Sequence, residues 1–411
     1  MQKRILCWFD YNSITGFSTV SKHIVSEIKK VSDSSFILDI VAVNYFGPDY
    51  MEDKFTLVTS AKLNDPQRDG FGRNWVIQRL NQIEYDGLFI CQDLGVVTPI
   101  VNQLNAIKSD YKSQKNKCFK SIFYFPVDCK LIIQLTLELD FFDVIATYTD
   151  YGKNEILRLR PDLKYKLNVV PHGVDTSAFY PLSTEEIINF RREYFGANSN
   201  KFIVSNINRN QPRKDIPSTI FAFLEAKYTW PGHLPEPFLY LHCNPMDPAG
   251  WDIRVIMMQL DLIEGVDFQL LHSASDKFFV DIKTLNRIYN ASDVCVTSTL
   301  GEGWGLSFSE AAACRIPIIA PYSTSFMEMS DYGRNAYMLY NLSPICQTAD
   351  NAVRKQINIY ELADRIREVA IDKYKFDSGI QNKINRSYEW AINLDWKEVC
   401  KDWTKYFKET Y

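Results

Sequence analysis

Short apolar runs alternate with helix-forming stretches along almost the whole chain, and this alternation constrains the fold more than any other feature. Parallel strands need crossovers long enough to hold a helix, so the pattern predicts parallel sheets covered by helices. Arg4 to Phe9, Phe36 to Val43, Gly87 to Cys91, Ser121 to Phe125 and Val144 to Tyr148 read as strands in the first half. Phe202 to Ile207, Phe238 to His242, Phe268 to Leu271, Val294 to Ser298 and Ile316 to Ala320 read so in the second. Ser18 is expected to cap a helix carrying Val20, Ile24, Ile28 and Val31 on one face. Pro217, two positions after a potential Asp215 cap, suits the opening of another helix. A chain of 411 residues is too long for one core and suits two domains. Ligands of open parallel sheets sit beyond the carboxyl ends of strands, where Gly16, Gln92 and Asp128 fall.

Bulk properties narrow the function. Apolar residues make up 46% and charged residues 23%, which describes a folded soluble protein. A net charge of −4 argues against a nucleic-acid binder. The apolar run Ile5 to Phe9 is too short for a signal-peptide core, and no run approaches the length of a spanning helix. The nine cysteines form no C-x-x-C pair and read as reduced thiols of a cytosolic protein. The five histidines are unclustered, so no metal site is expected.

The segment from Glu302 to Glu310 carries the chemistry. A buried-strand pattern precedes it, glycines 301, 303 and 305 turn the chain, and Ser309-Glu310-Ala311-Ala312-Ala313 favours helix. A strand, a glycine turn and a helix N-terminus leave free N–H groups that suit a phosphate. Carboxylates do not hold phosphate, but each accepts two or more hydrogen bonds from sugar hydroxyls. The pattern therefore points to a nucleotide sugar. Two other readings stand beside it: a capping box over Ser307-Phe308-Ser309-Glu310, and a dinucleotide turn that lacks the G-x-G-x-x-G spacing.

The stretch Tyr289 to Val294 through Glu302 and Glu310 to Ala320 resembles the E-x7-E signature of retaining glycosyltransferases of family 4. Val169-Val170-Pro171-His172-Gly173-Val174-Asp175 is similar to the segment by which that family leaves its first domain. Arg209-Asn210-Gln211-Pro212-Arg213-Lys214 resembles the family's Arg-x4-Lys pair. The likeness runs from about Phe142 to Pro321 and suggests a virus-encoded, chlorovirus-type member. It implies a GT-B fold: two Rossmann-like doubly wound parallel-sheet domains. The expected boundaries are 1–171 for the acceptor-side domain, 172–386 for the nucleotide-sugar domain, and 387–411 for a helix crossing back onto the first domain.

The resemblance also implies roles. Glu310 would bind the ribose, Glu302 the donor sugar, and the N–H groups of Trp304, Gly305 and Leu306 the distal phosphate, with Gly303 also among the donor-binding residues. His272 and Ser273 match the segment that grips the base, although His272 also suits a plain surface position. Gly16 matches the family's glycine loop with one glycine in place of two. Asn208 and Asp215 stand where glycines are usual. Asp128 would orient a hydroxyl or accept the acceptor's proton, and it equally suits a structural turn after Pro126.

No Asp-x-Asp occurs, so Arg209 and Lys214 are expected to stabilise the leaving diphosphate in place of a metal, with no cofactor. The expected activity is metal-independent, retaining hexosyl transfer by front-side substitution. The best donor is GDP-mannose, with UDP-glucose and UDP-GlcNAc as alternatives, and the acceptor is a hydroxyl of a glycan, protein-linked or lipid-linked. A catalytically inactive nucleotide-sugar or glycan-binding module on the same fold is the other reading. Lysines 108, 112, 115, 117 and 120 form a basic cluster, either a solvated face or a membrane-docking patch. Trp396, Cys400, Trp403 and Phe407 make an apolar stripe that suits core packing better than a partner surface. The oligomeric state is left open, a dimer included.

Overall fold

The computed structural model describes all residues except 1, 14, 33–34, 116, 272–279 and 348–349. The chain divides into two compact units. Unit 1 comprises Met1–Val127, Leu131–Gly173 and Trp396–Tyr411, and unit 2 comprises Asp128–Lys130 and Val174–Asp395. The boundary expected at 387 would cut the helix Ser378–Ile392, whose turns continue beyond it. The separation instead falls after Asp395, whose bridge to Val174 closes unit 2. Asp128, expected in the first domain, groups with unit 2.

Unit 1 is built on β1 (Lys3–Asp10), β2 (Phe36–Val43), β3 (Tyr50–Asp53), β4 (Thr56–Ser60), β5 (Gly87–Cys91), β6 (Lys120–Phe125), β7 (Val144–Thr147) and β8 (Leu167–Val169), in the order β3-β4-β2-β1-β5-β6-β7-β8. All neighbours are parallel except β3 with β4. The central strands are buried on both faces, which is why they read as continuous apolar runs. β3 and β4 escaped the sequence reading because β3 is a short exposed edge strand and β4, though buried, is interrupted by threonine and serine. Gly16 opens the helix Gly16–Ser32, and its cap is Thr15 rather than Ser18: the Thr15 hydroxyl accepts from Ser18 N at 3.1 Å.

The helix Trp396–Thr410 belongs to this unit, and its apolar stripe is buried. Trp403 lies 5.1 Å from the Phe89 ring and 4.6 Å from the Tyr124 ring. Of the basic cluster, Lys108 and Lys120 share Asp143 and Lys117 pairs with Glu84, so two carboxylates offset part of this charge.

Unit 2 contains β9 (Phe202–Asn206), β10 (Pro237–Leu241), β11 (Phe268–Leu270), β12 (Val294–Val296), β13 (Ile318–Pro321) and β14 (Tyr337–Leu339), all parallel, in the order β11-β10-β9-β12-β13-β14. From β9 the chain builds outward through β10 and β11, then returns to place β12 on the other side of β9. The strand order therefore reverses between β9 and β12, and a crevice at their carboxyl ends is the usual ligand position of such sheets. An antiparallel hairpin, β15 (Leu342–Cys346) with β16 (Val353–Ile357), follows. Its mostly exposed residues gave no apolar pattern to read.

Candidate functional site

The segments that leave β9 and β12 meet at the reversal. After β9 the chain makes a short helical turn over Pro212–Lys214, and Asp215 then takes a left-handed conformation at φ 46°. Glycine is favoured at such a position, and aspartate is tolerated there because its short polar side chain can hydrogen-bond locally. Its carboxylate offsets part of this cost by accepting from Ser218 Oγ at 2.7 Å and Gln356 Nε2 at 3.1 Å. The preceding lysine pairs with Glu302 rather than with this carboxylate. The helix Ile216–Tyr228 begins next with Pro217 in its first turn, without the side-chain cap expected of Asp215.

The loop after β12 is sewn onto this turn through main-chain atoms. Leu300 N donates to Arg213 O at 2.8 Å, and the Ser298 hydroxyl to Asp215 O at 2.7 Å. A buried polar network extends the join, from Asn208 to Asn206 to Thr219 to Ser298 in steps of 2.7 to 2.8 Å. Asn208, the other departure from glycine, is part of this network. Fully satisfied polar networks of this kind fix one arrangement of loops.

The outcome is an ion cluster around Glu302, which is buried. Lys214 Nζ pairs with Oε1 and Arg213 Nη1 lies 2.8 Å from Oε2. Arg213 Nε is 3.2 Å from Asp128, whose other oxygen lies 3.2 Å from Arg354 Nη2. Arg354, from β16, is buried and also pairs with Asp350 at 2.8 Å. Burial alone would raise the Glu302 carboxyl, but Arg213 and Lys214 outweigh it and hold the group at about 2. Burial lowers the Lys214 ammonium, and Glu302 acts against that shift.

The glycines have distinct tasks. A Cβ on Gly301 would sit 2.1 Å from Asp128 O, so that position admits only close backbone approach. Gly305 at φ 111° precedes the helix Leu306–Ala313 and gives it no side-chain cap. The first N–H groups of that helix are thus left for another acceptor. Glu302 N donates to the Thr324 hydroxyl at 3.0 Å, and Ser325 Oγ donates to Trp304 O at 2.5 Å. Thr324 itself is held at φ 51°, a strained conformation for a β-branched residue, beside the site.

Glu310 does not complete a capping box. The helix begins at Leu306, which puts Glu310 in its second turn, and Oε2 accepts from the Tyr289 hydroxyl at 2.7 Å. Burial raises this carboxyl to about 7, and the Tyr289 bond opposes the shift. Between its ordinary value of 4.5 and about 7 the folded chain holds a proton here that the unfolded chain has released. The folded state is therefore stabilised relative to an ionised Glu310 at low pH, and that stability is lost as pH rises through about 7. Thermal unfolding of the wild type and Glu310→Gln across this range should diverge, with the wild type losing ground as pH rises. Parallel curves would contradict it.

The expected residues thus separate. Lys214, Glu302 and Asp128 come together, through Arg213. Arg209 does not join them: it is exposed over 57% of its side chain and paired with Asp247 at 2.7 Å. The Asp247 loop is anchored by Asn210, which binds Asn244 O and Trp251 O. Gly16 belongs to unit 1. His272 and Ser273 lie outside the described residues. Arg213, Arg354 and Tyr289 were not expected. Arg213 stood inside the Arg209–Lys214 motif and carried a sequence signal, whereas Arg354 in a polar hairpin carried none. Among the described residues there is no group of three or more His, Cys, Asp or Glu side chains suited to a metal, and no helix is long and apolar enough to cross a membrane.

Residues 270–354, which include both glutamates, match the family model for glycosyl transferases group 1. The chain is 25% identical over 241 residues to the probable sucrose-phosphate synthase of Thermosipho melanesiensis, covering 57% of this chain and 50% of that protein. It is 23% identical over 193 residues to the alpha-monoglucosyldiacylglycerol synthase of Acholeplasma laidlawii, covering 47% and 44%. The matched region thus spans about half the length of these relatives. The crystal structure of Anabaena HepE in complex with UDP-glucose superposes with a TM-score of 0.66 at 14% identity, over 99% of this chain and 100% of that one. The fold is that of GT-B glycosyltransferases.

Proposed function

We propose that this chain is a glycosyltransferase that moves a hexose from a nucleotide diphosphate sugar to an acceptor hydroxyl, without a divalent metal and with retention of configuration. One observation carries the reading: Lys214 and the buried carboxylate of Glu302 meet at the strand-order reversal, ahead of a helix N-terminus with no side-chain cap. A diphosphate leaving group develops negative charge. The Lys214 ammonium and the Leu306–Ala313 first-turn N–H groups supply fixed positive charge for it. Arg209 adds an exposed guanidinium suited to bidentate contact. Glu302, with one oxygen toward each cation, keeps further lone pairs for sugar hydroxyls.

A guanidinium engages each oxygen of Asp128, which leaves neither oriented toward an acceptor hydroxyl in this arrangement. The acceptor proton is then better taken by the departing phosphate oxygen, as front-side substitution requires. The half-buried Glu310 carboxyl beside the Tyr289 hydroxyl suits a ribose diol.

UDP-glucose is the first donor to test. It is the ligand of the HepE structure, and the Acholeplasma laidlawii relative is by name a glucosyl lipid synthase. GDP-mannose has no support among these relatives and serves as the second arm. Calorimetric titration with GDP- and UDP-sugars, with and without EDTA, tests the proposal, followed by transfer assays that read the product anomer. The expected result is one preferred donor with affinity unchanged by EDTA. Affinity that disappears with EDTA overturns the metal-free reading, and binding without turnover on any acceptor favours the inactive binding module.

A further inference from the structure

Two basic side chains, Lys214 and Arg213, pair with Glu302, and they are held differently. Lys214 offers a point charge on a flexible stem with one carboxylate partner. Arg209 is exposed. Arg213 is fixed at several points. Its Nη1 binds Glu302 Oε2 and the Gly301 carbonyl, while Nε binds Asp128. Its own carbonyl accepts from Leu300 N at 2.8 Å and Thr299 Oγ1 at 3.1 Å. Asp128 cannot follow Arg213 if it swings, because Arg354 from β16 holds its second oxygen and Gly301 packs on its carbonyl.

We propose that Arg213 is a positioning residue that orients Glu302 toward the donor sugar, so that it governs affinity for the sugar-bearing nucleotide and not for the bare diphosphate. The inference rests on the transferase reading above and extends it to a residue outside the Arg209–Lys214 pair. The geometry separates the two cations. A guanidinium that joins two carboxylates and a main-chain carbonyl has a set direction and would lose all three contacts to reach a phosphate. Lys214 needs to release only one. Without Arg213, Glu302 would keep its charge through Lys214 but lose the anchored cation on its second oxygen, which sets its plane. A lysine at position 213 would keep the charge without the planar guanidinium.

Equilibrium binding of UDP and of UDP-glucose to the wild type, Arg213→Ala, Arg213→Gln, Arg213→Lys and Lys214→Ala tests this, with melting curves to confirm folding. Arg213→Gln keeps a hydrogen-bond donor and provides a folded variant should the alanine protein fail. Arg213 variants, the lysine included, should weaken UDP-glucose roughly tenfold or more, the scale of one lost charge-assisted bond, and leave UDP within about twofold. Lys214→Ala should weaken both ligands. Equal weakening of UDP and UDP-glucose by folded Arg213 variants would make Arg213 a phosphate contact and overturn the inference alone, as would unchanged binding of both. A wild type that binds neither UDP-glucose nor GDP-mannose overturns the transferase reading, and this inference with it.

Discussion

Replacing Lys214 by alanine should lower glycosyl transfer by about 10²- to 10³-fold, the range for removal of one preorganised group that stabilises developing charge. The same change should destabilise the fold. Glu302 is buried and Lys214 is one of its two cations, so the variant leaves a carboxylate in low dielectric with Arg213 alone. Removing one partner of a buried pair costs about 3–5 kcal/mol, and the surviving arginine places this case at the lower end. The Glu302 carboxyl, held at about 2 in the wild type, should rise, so acidification costs the variant less stability than it costs the wild type, and the gap between the two narrows as pH falls. A carboxylate whose folded value is depressed stabilises the protein above its ordinary value and ceases to do so as pH falls, and a smaller depression leaves less stability to lose. Steady-state kinetics and melting curves at two pH values measure both effects. Full activity in Lys214→Ala would remove the ammonium from the proposed chemistry.

Trp403→Ala should have the largest effect on stability in unit 1. The side chain is fully buried in the helix Trp396–Thr410, with rings of Phe89 and Tyr124 against it. Truncation of a buried tryptophan costs about 3–5 kcal/mol, from lost transfer energy plus the cavity left behind. Its indole Nε1 has no hydrogen-bond partner among the described residues, so Trp403→Phe should cost much less. Calorimetry and limited proteolysis of the intact chain check this. The transition of the unit holding residues 1–127, 131–173 and 396–411 should shift down in the alanine variant. An unchanged unfolding profile would mean that the terminal helix is not part of that core.

Much of the fold was legible because parallel strands buried on both faces are apolar throughout. β2 and β5 have the ends that the residue pattern predicts, and β1, β6 and β7 differ by a single residue at one or both ends. The elements that escaped have a common cause. β3, β15 and β16 are largely exposed, β8 and β14 are three residues long, and the buried β4 carries two threonines and a serine among its five residues, so none offers an apolar run that stands out from its surroundings. Within the site, the glycine turn and both glutamates were legible from local composition. The partner of each glutamate was not.

The chain's local chemistry determined by itself that strands alternate with helices, that a glycine turn joins β12 to a helix, and that carboxylates flank this turn. These follow from backbone freedom, periodicity and burial within a few residues. Tertiary structure decided that Lys214 and Arg213 reach Glu302 across 88 positions or more, that Arg354 grips Asp128 from a hairpin, and that Tyr289 binds Glu310. Those pairings depend on the order in which strands join the sheet. The reversal that sets β12 beside β9 is fixed by packing of the whole unit, and no local pattern encodes it.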